Sequence, residues 1–284
     1  MAVPAILVTR IGWKAQAALA ATRGRAHVLA PLSTSLYLTA GDEVVWLGRP
    51  GGVPHPRAML TTHGRLGRYT QGEAIGFDLA GARPWLPRRS VPVDDPSIRT
   101  ATTRALLSRL RERPDCVPEP LGLGALLVGR DPAFPLDRAV PAAIDLARAC
   151  DADRVTEATA AADRLLGLGP GLTPAGDDFV GGVLFARNRV GGAASADWRQ
   201  AGSMLVARAR QRTNLISITL LTDLAEGHGH EPLHDLAEAL ERRAGDSHAL
   251  DALHRLAGIG HSSGWDLLAG FFVGIAGIAA LGRR

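Results

Sequence analysis

Gly167-Leu168-Gly169-Pro170-Gly171-Leu172-Thr173-Pro174-Ala175-Gly176-Asp177-Asp178 runs directly into the apolar segment Phe179 to Ala186. Gly167, Gly169 and Gly171 allow positive φ or close approach of a ligand to the backbone. Pro170 and Pro174 stiffen the loop. Thr173 followed by Pro174 reads as an N-cap and first helical residue. A rigid glycine loop entering a helix directs N–H groups and the positive end of the helix dipole at one spot, a ready anion site. It is not a Walker A loop, because no Gly-Lys-Ser/Thr follows, and no βαβ unit surrounds it as a dinucleotide fingerprint requires. Asp177 and Asp178 complicate the reading, since carboxylates in a first turn already complement the dipole.

The loop has an echo near the C-terminus. Thr173-Pro-Ala-Gly176-Asp-Asp178-Phe-Val-Gly-Gly182 can be laid on His261-Ser-Ser-Gly264-Trp-Asp266-Leu-Leu-Ala-Gly270. Gly182 and Gly270 each fall four residues after an aspartate and share its helix face. Two such helices are expected to pack as a pair, with both N-termini near one site. The alternative is that glycine and alanine are simply common in this chain.

Around this core the helical pattern extends from residue 96 to 284. Apolar spacing predicts helices at Ile98–Arg111, Ala139–Cys150, Arg154–Leu166, Gly176–Asn188, Asp197–Gln211, Asn214–Glu226, Leu233–Arg243, Ser247–Ala257 and Trp265–Leu281. Leu121–Val128 is short and apolar and fits either strand or helix. Residues 1–95 read differently. Short strands are expected at Ala5–Thr9, Ala26–Leu29, Ala58–Thr62 and Ala74–Leu79, with a short helix at Trp13–Thr22. Ser35–Ala40 and Glu43–Leu47 flank Gly41-Asp42, a hairpin signal. Pro84–Pro96 reads as a connector. The fold class is therefore α+β: a small β-rich domain, sheet or partial barrel, over 1–95, then a mainly α-helical domain over 96–284 that carries the glycine loop.

Composition narrows the function. The chain has 284 residues, 46% hydrophobic and 21% charged, which suits a globular protein rather than a disordered one. Its net charge is +4, and Lys14 is the only lysine. The arginines are scattered and not interleaved with aromatics, so nucleic-acid binding is not indicated. Two cysteines, Cys116 and Cys150, without metal-type spacing suggest a reduced, cytoplasmic protein. The N-terminus lacks a signal-peptide pattern. The apolar run Leu267–Leu281 is shorter than the ~20 residues of a bilayer span and reads as a core helix.

The candidate chemistry gathers at the two helix starts. Gly169, Gly171, Leu172, Thr173 and Gly176 form the expected anion cradle. Asp177, Asp178 and Asp266 are the candidate catalytic carboxylates. Asp177 and Asp178 can hold Mg²⁺ beside a bound phosphate, Asp178 and Asp266 can orient a substrate amide, or all three can compensate dipoles. No cofactor is certain; Mg²⁺ is the one candidate. Arg212, Asn214 and Ser217 form a polar start to an apolar helix and are ligand or capping groups. His261, Ser262, Ser263 and Gly264 offer an imidazole and hydroxyls at a helix start, with capping as the alternative. His228, His230 and His234 fit a solvated loop better than a zinc site. Ser97-Ile98-Arg99-Thr100 is similar to the phosphate loop of aspartate and ornithine carbamoyltransferases, but His55-Pro56-Arg57 does not complete the required His-Pro-x-Gln, so the match reads as chance.

The run Gly167–Asp178 resembles the signature of the AllH-like family, which includes the small subunit of oxamate carbamoyltransferase. Similar patterns occur around Asn214–Ser217 and His261–Gly270. The resemblance implies phosphorolysis of oxalurate to oxamate and carbamoyl phosphate, or its reverse. It implies a small anionic substrate (phosphate, carbamoyl phosphate or an oxamate-like acid) held by helix N-termini, Thr173, Ser262, Ser263 and Arg212. It further implies partner subunits, an FdrA-like protein and a second large subunit, with carbamate kinase downstream. The rival readings are a Mg-ATP-dependent small-molecule kinase and a non-catalytic anion-binding scaffold subunit.

Overall fold

The computed structural model describes residues 5–87, 96–112, 117–190, 195–242 and 246–282. Cys116, most of the 84–96 connector and the end of the 233–243 helix lie outside them. The chain divides into two compact units, Met1–Arg88 and Arg89–Arg284.

In the first unit, β1 (Ile6–Gly12), β2 (Arg25–Pro31), β3 (Leu36–Ala40), β4 (Glu43–Gly48), β5 (Ala58–Thr61), β6 (Ala74–Asp78) and β7 (Arg83–Trp85) form one sheet, with α1 (Trp13–Ala21) after β1. The strand order is β5-β4-β3-β2-β6-β1-β7, and β5 also pairs with β1. That last pairing closes six strands into a barrel and leaves β7 as an extra strand on β1. A bulge between Val8 and Arg10 lets β1 serve several partners. The expected hairpin is β3–β4, with Ala40 opposite Glu43 and Gly41 at φ +61°. Val8, Leu36, Leu38, Val45, Leu47 and Met59 fill the interior. Closure removes the sheet edges that an open sheet would expose. β7 was absorbed into the expected connector because Arg83-Pro84-Trp85 carries a proline, which sequence reasoning reads as a break.

The second unit is helical. It contains α2 (Pro96–Glu112), a 3-10 segment (Gly122–Val128), α3 (Val140–Asp151), α4 (Val155–Asp163), α5 (Ala175–Val190), α6 (Ser195–Ala209), α7 (Leu215–Ala225), α8 (Glu231–Arg242), α9 (Asp246–Ala257), α10 (Ser263–Ala276) and a final 3-10 turn (Gly277–Ala280). The ambiguous 121–128 run is thus neither strand nor α-helix. Phe179, Phe185, Trp265, Phe271 and Phe272 are fully buried, which puts α5 and α10 at the centre of the core. Ser263–Ala280 spans 18 residues at mean hydropathy 1.5, long and apolar enough to cross a membrane by that measure, yet 78% of it is buried inside this unit. Its apolarity is accounted for by the core it fills.

Candidate functional site

The two central helices touch backbone to backbone. A Cβ on Gly182 would lie 2.2 Å from Leu267 O, and one on Gly270 would lie 1.9 Å from Phe179 O. In the alignment of the two echo segments, Phe179 corresponds to Leu267 and Gly182 to Gly270. The two contacts therefore exchange, as they would across a local two-fold axis. Thr173 lies against Ser263 at one end, and Gly274 lies beside Val183 and Ala186 at the other. The helices run in the same sense, so both N-termini meet.

Each helix starts in the same way. A Cβ on Gly176 would fall 1.9 Å from Leu165 O, and one on Gly264 would fall 1.8 Å from Leu256 O. The Gly176 N–H donates to Leu168 O at 2.9 Å, and the Gly264 N–H to Ile259 O at 3.0 Å. No larger residue fits either crossing, so the glycines fix where each helix begins relative to the preceding one.

The glycine loop has the expected backbone: Gly167, Gly169 and Gly171 have φ of +76°, +113° and +99°. Among the described residues, the N–H groups of Gly169, Gly171, Leu172 and Thr173 donate to no protein acceptor. Pro170 and Gly171 are exposed. Helix α5 begins at Ala175, one residue before the expected range and one after the Pro174 start that the N-cap reading implies, and Pro174 O accepts from the N–H groups of Asp177 and Asp178 at 2.9 and 3.1 Å. Thr173 is thus released from capping. Its Oγ1 lies 2.8 Å from Ser263 Oγ, so one hydroxyl from each echo segment meets at the junction.

The three aspartates have separate roles. Asp177 is buried; its Oδ1 accepts from the Gly167 N–H at 2.7 Å and its Oδ2 from Ser217 Oγ at 2.6 Å. Both oxygens are occupied, so it clamps the loop to α7 rather than facing a ligand. The Asp177/Asp178 pair considered for Mg²⁺ therefore does not present two open carboxylates. Asp266 is fully buried and its Oδ1 accepts from the Leu123 N–H at 2.6 Å. Burial pushes its carboxyl up to about 7, against the opposing pull of the Leu123 amide and the Ser262 hydroxyl. Asp178 is also buried, and its carboxyl lies well above the usual range. Desolvation is the main cause, followed by the nearby Asp266 and then Asp177, while the Ser263 and Thr173 hydroxyls oppose the rise. Among the described residues, Oδ2 of Asp178 and Oδ2 of Asp266 are both buried without a hydrogen-bond partner. Buried polar groups are nearly always paired, so two such oxygens at the meeting point of two helix N-termini make this junction the candidate site.

The remaining sequence candidates fall around this junction. Asn214 caps α7, its Oδ1 accepting from the N–H groups of Ile216 and Ser217 at 3.0 and 3.1 Å. Its Nδ2 donates to Leu172 O at 2.9 Å and so holds the loop. Ser217 is committed to Asp177. The Arg212 guanidinium bonds to Asp163 O at 2.7 Å and to Asp163 Oδ2 at 3.3 Å; its own carbonyl packs under Gly167. Asn214, Ser217 and Arg212 therefore shape the loop. Ser262 occupies the N-cap of α10 without a side-chain cap bond, and His261 is exposed.

The histidine expectation is corrected. His234 is buried, accepts from the Gly229 N–H through Nε2 at 3.1 Å and lies edge-on to Phe185 at 5.0 Å. Burial lowers His234 to about 3 and His230 to about 4, so both are neutral; His234 is a core residue of α8, while His228 and His230 are half-buried in the loop before it. Among the described residues no group of three or more His, Cys, Asp or Glu could hold a metal ion. Arg99, from the Ser-Ile-Arg-Thr run, is buried near Glu241 and Arg189. Cys150 is a buried free thiol, pushed up to about 11 by burial.

Sequence reasoning missed the Gly122–Leu123 contact. Gly122 has φ +55°, and a Cβ there would fall 2.3 Å from Asp266 Oδ1; one on Gly124 would fall 2.7 Å from the Trp265 Cβ. The paired glycines of Leu121-Gly122-Leu123-Gly124 were the available signal.

Residues 165–275 match the family model described as oxamate carbamoyltransferase subunit AllH. The matched segment, less than half of the chain, contains the glycine loop, α5, α7 and nearly all of α10. No solved structure matches the chain.

Proposed function

We propose that the chain is a subunit of a carbamoyltransferase-type enzyme, and that the junction of the α5 and α10 N-termini binds its small anionic substrate. The family match over residues 165–275 supports the enzyme class. The observation that carries the site is the convergence, within that segment, of two helix N-termini, four unengaged loop N–H groups and the Thr173–Ser263 hydroxyl pair. Backbone N–H groups at a helix start suit phosphate or carboxylate. The same donors can stabilise negative charge that develops as a tetrahedral centre forms at a carbamoyl carbon. Holding two reactants side by side supplies the rest, and no covalent nucleophile is needed. Arg212 acts through the loop rather than on the anion. Further subunits, FdrA-like among them, complete the enzyme in this reading.

The test is reconstitution with those large subunits, following carbamoyl phosphate formed from oxalurate and phosphate. The Thr173→Val/Ser263→Ala double variant removes both hydroxyls. It is expected to fold and to lose activity by about a hundredfold or more, as loss of positioned transition-state donors does. Full activity in the folded double variant would overturn the assignment of the junction.

A further inference from the structure

The buried carboxyl pair carries an inference that rests on this reading of the site and deepens it. We propose that Asp178 and Asp266 hold one proton between them and that Asp178 presents this half-protonated pair to the carboxamide end of the substrate, while the glycine loop takes the anionic end.

The geometry supplies the first part. The two carboxyls come from equivalent positions on two helices in backbone contact, and each has a buried oxygen with no partner. Two ionised carboxylates in that state would each carry a desolvation cost of several kcal/mol and would repel each other. One shared proton removes the repulsion, as in other buried carboxyl pairs. Among the described residues, the charged groups acting on Asp178 are Asp266 from α10 and Asp177 from its own helix, with no cation offsetting them. The positive helix ends contribute about half a charge each, together about +1, which balances the single negative charge of a half-protonated pair without a metal.

Chemistry supplies the second part. With the pair's proton on Asp178, that carboxyl offers one O–H donor and one C=O acceptor, and a primary amide or ureido group offers the complement through its C=O and N–H. A carboxylate offers only acceptors and meets a negative pair. The loop, with N–H donors alone, prefers the anionic end. Oxamate, an amide joined to a carboxylate, fits both halves at once. Asp178 is the member that touches substrate, since it retains slight exposure at 8% whereas Asp266 has none. Asp266, fixed by the Leu123 N–H, is a positioning residue that keeps the proton on the pair.

The experiment uses the full chain labelled with ¹³C at aspartate Cγ. One carboxyl of the pair is expected to stay protonated at neutral pH, and its signal to vanish in Asp178→Asn. Asp266→Asn is expected to move the titration of Asp178 to lower pH, a readout that a packing role would leave in place. Calorimetry then compares oxamate with oxalate. Oxamate is expected to bind about tenfold or more tightly, with that preference lost in Asp178→Ala, because an acceptor-only group leaves the pair mismatched. A fully ionised pair at neutral pH overturns the proposal, as does equal or tighter oxalate binding, or Mg²⁺ binding abolished by Asp178→Asn. Binding of neither acid contradicts the amide reading alone. The subunit reading then still stands or falls by the reconstituted assay.

Discussion

The starts of α5 and α10 share a glycine and a following aspartate, and the residue between these two differs. Both place a glycine against an earlier carbonyl oxygen, Leu165 O in the turn after α4 and Leu256 O in α9, and both follow it two residues later with a buried aspartate. Between them, α5 has Asp177 and α10 has Trp265. Asp177 stitches a long exposed loop to α7 through Gly167 and Ser217. Trp265 instead fills the core against Gly124. The shared positions fix where two helix ends meet. The divergent one decides whether the preceding loop is clamped by a side chain or the space beside the helix start is filled by packing. A longer loop with unengaged N–H groups needs a clamp, and the shorter turn before α10 does not.

The largest expected effect breaks the pairing itself. Gly270→Val drives side-chain atoms into the Phe179 carbonyl and is expected to cost ~3 kcal/mol or more, visible as loss of cooperative thermal unfolding. Gly171→Ala meets nothing within 4 Å and is expected to cost only about 1 kcal/mol from its positive φ. Equal effects would show that the seam does not hold the helices.

The two aspartates separate by pH. Asp266 in the folded chain is raised from 3.8 to about 7, so the folded state binds the proton more tightly than the unfolded state. Its favourable contribution is present at low pH and is lost as pH rises from about 4 through about 7. Asp266→Asn keeps an acceptor for the Leu123 N–H and removes the buried charge. It is expected to raise stability at pH ~8 by up to about 4 kcal/mol and to flatten the pH dependence of the melting temperature. A variant less stable than wild type at pH ~8 would contradict this.

Asp177→Ala is expected to cost about 2–3 kcal/mol, since it strands the Gly167 N–H and the Ser217 hydroxyl. Asn214→Ala is expected to cost about 1–2 kcal/mol for a lost cap and a freed loop. In both, hydrogen exchange should quicken in residues 167–173 and stay unchanged in 258–262. Equal quickening at both helix starts would erase the distinction between them.

Much of this was legible because glycine and aspartate positions carry backbone meaning that one sequence displays. The Asp178/Asp266 pair follows once the echo is noticed, whereas the Thr173–Ser263 contact joins positions the echo does not align. The barrel's closure was not legible, because β1 pairs with three other strands around a bulge and no local pattern records that. Asp177 and Asp178 are indistinguishable in sequence, and only the long-range partners Gly167 and Ser217 separate clamp from site. The bond from Arg212 to Asp163, distant in sequence, is likewise a tertiary fact that no local pattern records. His234 looked solvated because it follows a glycine- and histidine-rich stretch, and its burial against Phe185 is a tertiary fact.

The central claim is that the functional site lies where the two helix starts meet. Backbone amide NMR of the full chain, titrated with oxamate and separately with inorganic phosphate, tests it most directly. The account predicts shifts concentrated at Gly169–Thr173, Leu123 and Ser262–Gly264, with the barrel unchanged. Shifts confined to other parts of the chain, or none at this junction, would contradict it.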